Sequence, residues 1–207
     1  MENSLISPED IHESAVSFLE TLNEVGGWEI YDEKDDIFSK RRLDDDGYYI
    51  YNSHIIIESK PEIALDIILN EERRKLWFEI LLKSSVLKTW GESMKLIYMQ
   101  LSYPWFLSNR EVIILQGVSK TEDGSIYVAW KSVDAPDKPV ENGLIRANVD
   151  IGGFAIKSVG ENKILVSYTI KINSQGLVPI SLSNYLSRHN AEVIAKIKDL
   201  INQHYLA

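Results

Sequence analysis

The chain has 207 residues, 44 % of them hydrophobic and 26 % charged, a balance that suits one soluble domain and leaves room for two small ones at most. Its formal net charge of −9 argues against nucleic acid as a partner and against long-range attraction to an anionic bilayer. It has no cysteine, which excludes disulfides, thiolate catalysis and sulfur-based zinc sites and fits a reducing, cytoplasmic setting. No apolar run approaches the ~18 residues of a membrane span. The start, MENSLISPED, lacks a basic region followed by an apolar one and is not expected to be a signal peptide.

No internal repeat or low-complexity linker is visible, so one domain over residues 1–207 is expected. Ser7-Pro8-Glu9-Asp10 reads as a helix start, with Ser7 as the cap and Pro8 in the first turn. Ile11, Ala15, Phe18, Leu19 and Leu22 follow at helical spacing, and Gly26-Gly27 marks the end. Strands are expected near Trp28–Asp32, Ile37–Arg42 and Tyr48–Ile57, with Asp46-Gly47 as a hairpin signal. Lys40-Arg41-Arg42 faces its own acidic turn, Asp44-Asp45-Asp46, on a solvated face. Pro61 opens a helix, and a second helical piece is expected from Glu71 to Leu82.

Six more strands are expected near Val86–Trp90, Met94–Tyr103, Glu111–Ser119, Ser125–Val133, Leu144–Ala155 and Lys163–Ile172. The segment Asp134–Gly143, with two prolines, reads as a longer loop. Pro179 starts a final helix in which Leu182, Leu186, Val193, Ile197 and Leu200 repeat at helical spacing. An antiparallel sheet and one long amphipathic helix must bury their apolar faces together, and the simplest arrangement wraps the sheet around the helix. Space between two such curved surfaces makes an internal cavity an expectation.

The motifs in this order resemble the START family, the StAR-related lipid-transfer domains, over nearly the whole sequence. YPWFLSNRE (Tyr103 to Glu111) is similar to that family's Pro-containing turn followed by Ser-Asn-Arg-Asp, and its Tyr-Pro-aromatic form resembles the phosphatidylcholine transfer protein branch. Arg74-Lys75-Leu76-Trp77 resembles the family's Arg-x-x-Trp, and WKSVDAPDKP with GLIRANVDIGGFAI resembles its strand, loop and strand with an Arg, here Arg146. Asn173-Ser-Gln-Gly176 with Val178-Pro179 is similar to the entry into the family's lid helix. The resemblance implies an α+β helix-grip fold, a curved antiparallel sheet wrapped around a long C-terminal helix with an internal cavity. It further implies a lipid ligand (phospholipid, sterol or related amphiphile), transient membrane contact, a monomer, and no cofactor, metal or catalytic residue.

The chain departs from the family at several positions. Glu111 stands for Asp, Phe78 follows Trp77 where Asp is usual, and Asn173 replaces Asp at the lid entry. Where the phosphatidylcholine branch has an aromatic cage, this chain has Met99, Val112 and Asp150, so choline capture by cation–π attraction is not expected. Where sterol binders have an Arg, it has Gln116.

The residues expected to meet the ligand are Arg74, Tyr98, Gln100, Gln116, Trp130, Arg146, Leu186, Asn190 and Val193. Arg74 matches the family position that meets a lipid phosphate, with a surface cation as the alternative. Arg110 and Glu111 are expected to form a packed ion pair that fixes the turn before a cavity-wall strand. The ligand is expected to leave past the C-terminal helix and the Asp134–Gly143 loop. Two other functions stay open: a cyclase- or hydrolase-like helix-grip enzyme, for which Asp150 is the candidate acid, and a degenerate START domain that acts through a protein partner.

Overall fold

The computed structural model describes residues 7–22, 26–187 and 191–204. Helix α1 (Pro8–Thr21) begins at a reciprocal cap. The Ser7 hydroxyl accepts from the Asp10 amide at 3.1 Å, and the Asp10 carboxylate accepts from the Ser7 amide at 3.2 Å. Each bond satisfies an amide that a helix start otherwise leaves unpaired.

After α1 come β1 (Glu29–Lys34), β2 (Ile37–Leu43) and β3 (Tyr49–Glu58), then the helices α2 (Pro61–Leu69) and α3 (Arg74–Trp77). Seven strands follow: β4 (Leu81–Trp90), β5 (Met94–Leu101), β6 (Arg110–Lys120), β7 (Ile126–Ser132), β8 (Ile145–Arg146), β9 (Asn148–Gly160) and β10 (Lys163–Asn173). All join one sheet in the order β1-β2-β3-β10-β9-β7-β6-β5-β4, antiparallel throughout, with the short β8 added parallel to β6. Strand β10 pairs with both β3 and β9 and so joins the N-terminal meander to the rest. The chain ends in α4 (Ile180–Ser187) and α5 (Ala191–His204).

Two expectations are corrected. The helix expected over Glu71–Leu82 is only the single turn α3; Phe78 leaves helical geometry at φ −116°, and β4 already starts at Leu81, paired with Leu101. Pairing with β5 overrides a local pattern that fits a helix. The strand expected over Leu144–Ala155 is split between β8 and β9. The helix expected from Pro179 is described as α4 and α5, and Asn190 between them lies outside the described residues.

The two faces of the sheet have different covers. The inner face meets α5, which buries Val193, Ile194, Ile197 and Ile201, and α2, which buries Ala64, Ile67 and Ile68. The outer face over β6, β7 and β9 is covered by α1, with Ala15, Val16 and Leu19 set on Tyr127, Ala129 and Ile151. Gly153 permits that contact: a Cβ there would lie 2.5 Å from the Leu19 side chain.

Candidate functional site

Successive side chains of a strand point to opposite faces, and this alternation builds the site. On β5, Met99 and Leu101 face inward; on β6, so do Val112, Ile114 and Gln116; on β10, Tyr168, Ile170 and Ile172 do. With Trp77 at the end of α3, Phe78 just after it, Trp130 on β7, Val149 on β9 and Leu186 on α4, they line a pocket of about 310 Å³. Gln116 stands directly opposite Trp130, which in turn stands opposite Gly152. The glycine is required there, because a Cβ would sit 2.0 Å from the indole nitrogen of Trp130. Trp77, Trp130 and Tyr168 all pack on the Phe154 ring, at centroid distances of 5.6, 5.8 and 4.8 Å.

The polar end of the pocket is made by α3. Arg74 is 2 % exposed. Its Nη2 donates to Gln116 Oε1 at 3.2 Å and meets Glu71 Oε1 at 3.2 Å; its Nη1 lies 3.8 Å from the Met99 sulfur. Lys95 approaches the same Glu71 oxygen at 3.6 Å. Burial pushes the Arg74 guanidinium below its ordinary range, and the Glu71 charge works against that shift. Two donors at this end, Arg74 Nε and Trp77 Nε1, are buried without a hydrogen-bond acceptor among the described residues.

Of the nine residues expected at the ligand, Arg74, Gln116, Trp130 and Leu186 line this pocket. Val193 is buried in the α5 core and is not in the lining. Tyr98, Gln100 and Arg146 lie away from it, gathered around the fully buried carboxylate of Glu111. Tyr98 donates to Glu111 at 2.9 Å, Arg146 Nε donates at 2.8 Å, and Gln100 donates to the Tyr98 hydroxyl at 2.8 Å. Tyr98 and Gln100 of β5 have the outward parity, opposite to Met99 and Leu101.

The expected Arg110–Glu111 pair does not form, for the same reason: neighbours on a strand face opposite ways. Arg110 is held by backbone carbonyls instead, those of Ser174 at 2.8 Å, Gln175 at 3.2 Å and Ser108, and it stacks on Tyr103 at 4.6 Å. It thereby ties the β5–β6 loop to the segment that leads into α4. Tyr103 adds a bond to Ser174 at 2.9 Å.

No residue of the Asp134–Gly143 loop is in the pocket lining, whereas Tyr103 and Pro104 of the β5–β6 loop are, with Leu186 and Ser187 of α4. The Asp134–Gly143 loop is fastened to the outer network. Arg146 donates to the Lys138 carbonyl at 2.9 Å, the Glu141 amide to Glu111 at 3.2 Å, and Gln100 to Glu141 at 2.7 Å. Asp150, the acid suggested for an enzyme, also lies off the pocket and meets Lys171 at 3.2 Å. That lysine takes Asp44 and Asp46 as well, each at 2.6 Å.

Residues that sequence reasoning did not place at the site include Tyr103, Tyr168 and Ile170. The inward alternation Tyr168-Ile170-Ile172 was legible as a period of two, but it gives no sign of which face holds a pocket.

A sheet that grips a C-terminal helix around an apolar pocket with one buried cation defines the helix-grip class. The family model for the START domain matches residues 11–200, and the chain belongs to that family. Human StAR-related lipid transfer protein 5 superposes with a TM-score of 0.86 at 17 % identity, covering 96 % of this chain and 98 % of its own. Human STARD10 gives 0.85 at 19 %, covering 98 % of this chain and 83 % of its own. A curated relative, uncharacterized protein PA1579 of Pseudomonas aeruginosa, is 25 % identical over 157 residues, 70 % of this chain and 77 % of that protein.

Proposed function

We propose that this chain, as a single START unit, binds one amphipathic lipid in the pocket and carries it between membranes without catalysing a reaction. The observation that carries the reading is the pocket itself: aromatic and aliphatic walls closed at one end by the buried Arg74. Apolar burial at ~25 cal/mol per Å² supplies the affinity, and the polar end supplies orientation.

Transfer requires contact with a bilayer, and the surface next to the lining residues Tyr103 and Pro104 suits a brief one. Trp105, Phe106 and Leu177 are exposed on the two segments that Arg110 joins. Neither Leu101–Asn109 nor Ile172–Ser187 contains a charged residue. Such a rim favours contact through aromatic insertion at the interface over attraction to anionic headgroups.

The kinship with the phosphatidylcholine branch is confined to the Tyr-Pro-aromatic turn. Met99 and Val112 line the pocket where the cage rings would stand, so phosphatidylcholine is not the preferred ligand.

The test is native mass spectrometry of protein re-isolated from vesicles that contain phospholipids, sterol and free fatty acids. One amphiphile per chain is expected. Protein that returns at its bare mass from every lipid would refute the reading.

A further inference from the structure

On the β10 wall of the pocket, three strands away from Gln116, one buried hydroxyl has no partner. Along β6, β7, β9 and β10 that separation is roughly 14 Å at ~4.8 Å per strand, so the position is distinct from the polar end at α3. Tyr168 is 4 % exposed and lines the pocket. Its ring packs on Phe154 and Trp130. Among the described residues its hydroxyl makes no hydrogen bond, and it is not sealed by packing as the indole nitrogen of Trp77 is. The hydroxyl therefore borders the hollow, on a wall whose other inward side chains, Val149, Ile170 and Ile172, are apolar.

The chemistry of that wall narrows what can meet it. Burial pushes the Tyr168 phenol up, so it stays protonated and donates. Trp130, whose ring centroid lies 6.2 Å away, adds an indole N–H that no described residue accepts. Two neighbouring donors call for an acceptor from outside the chain. Only Arg74 on α3 and the exposed Glu192 on α5 carry charge in the lining. The β7–β9–β10 wall thus offers no counter-charge, and an ionised group laid against it would be strongly penalised. A plain hydrocarbon chain is also a poor fit, because it would strip the hydroxyl of water and return no bond.

We infer that the ligand is an amphiphile whose apolar body carries a neutral oxygen, a hydroxyl or keto group, which accepts from the Tyr168 hydroxyl. The inference rests on the lipid-binding reading and narrows its ligand class. Tyr168 then sets specificity in both directions: it favours an oxygenated body and disfavours an unsubstituted chain.

Stearate and a set of its hydroxy isomers, with the hydroxyl stepped along the chain, are suitable probes. Head and length are common to all, so their contributions cancel in a ratio of affinities. In calorimetric titration the best isomer binds about tenfold more tightly than stearate, the worth of one buried hydrogen bond made rather than left open. Tyr168→Phe deletes one oxygen and keeps the ring on Phe154. In that variant stearate binds more tightly, the best isomer more weakly, and the ratio falls about tenfold, to near unity. The hydroxyl makes no bond within the protein, so the ligand-free variant unfolds at a thermal midpoint no lower than that of the wild type.

If no isomer binds the wild type more tightly than stearate, the inference is overturned and lipid binding stands. An unchanged ratio in Tyr168→Phe overturns it as well, and so does a lowered midpoint, which would give the hydroxyl a partner inside the protein. Uptake of a vesicle phospholipid by a protein that ignores every fatty-acid probe has the same consequence. No binding of any probe or any vesicle lipid would overturn both this inference and the lipid-binding reading.

Discussion

Glu111 and Arg110 are neighbours with separate duties. Glu111 organises the outer network, where three side chains and one amide converge on its carboxylate or on its hydroxyl partner. Glu111→Gln leaves Arg146 without its counter-charge, and a loss of about 3 kcal/mol in urea unfolding is expected, the low end for breaking a buried pair, because Arg146 keeps some contact with water. Ligand affinity stays unchanged, since the network faces away from the pocket. Two histidines set a second expectation at this scale. Burial pushes His12 below 6.5, with Glu13 opposing, and burial pushes His54 down with Lys40 in support. The unfolded chain therefore binds protons that the folded chain refuses. Their contribution to stability is present above the unfolded value of 6.5 and is lost as pH falls below it through the folded values. Thermal midpoints should fall from pH 7.5 to pH 5.5, and the fall should be smaller in a His12→Gln, His54→Gln variant. Equal falls in both proteins would show that other groups set the dependence.

Among the elements, α4 carries the proposed route of access, because its Leu186 and Ser187 line the pocket. It is tied to the β2–β3 turn through Asn184, whose side chain accepts from the Tyr49 amide at 2.9 Å and donates to the Gly47 carbonyl at 3.0 Å, while its carbonyl accepts from the Tyr51 hydroxyl at 2.7 Å. The turn is anchored from beneath by Lys171 with Asp44 and Asp46. Asn184→Ala removes two of the three ties. Faster exchange of a bound fluorescent amphiphile by stopped flow is expected, with a stability loss of about 1–2 kcal/mol for the bonds removed. Unchanged exchange would place the gate at the β5–β6 loop alone. The elements themselves were legible where local chemistry and periodicity agree: the Ser7 cap, the Asp46-Gly47 hairpin and the long strand pairs. The reading failed where tertiary pairing decides, as at Leu81, which extends a helical pattern and yet starts β4.

For the whole molecule, the order of motifs carried the fold, but the placement of the site depended on strand parity. Both parities of β5 contain large apolar groups, Ile97 and Met99 on one face and Tyr98 on the other, so the sequence does not say which face is hollow. Polar residues were therefore favoured as ligand contacts at Tyr98, Gln100 and Arg146, and it is the outer network that gathers them. Arg74, Gln116, Trp130 and Leu186 come together only through contacts between distant segments, α3 against β6 above all. Gln116, the residue that stands where sterol binders have an Arg, holds Arg74 in place, a relation that no spacing in the sequence records.

The central claim is that a lipid occupies the space between the sheet and α4. A single-chain amphiphile with a photoreactive diazirine at its chain end, loaded, irradiated and mapped by peptide mass spectrometry, tests it most directly. Labels are predicted on the pocket walls at Met99, Leu101, Ile114, Ile170 or Leu186. Labels confined to the outer groove that Leu43, Tyr49 and Tyr185 form against the far side of α4 would contradict it.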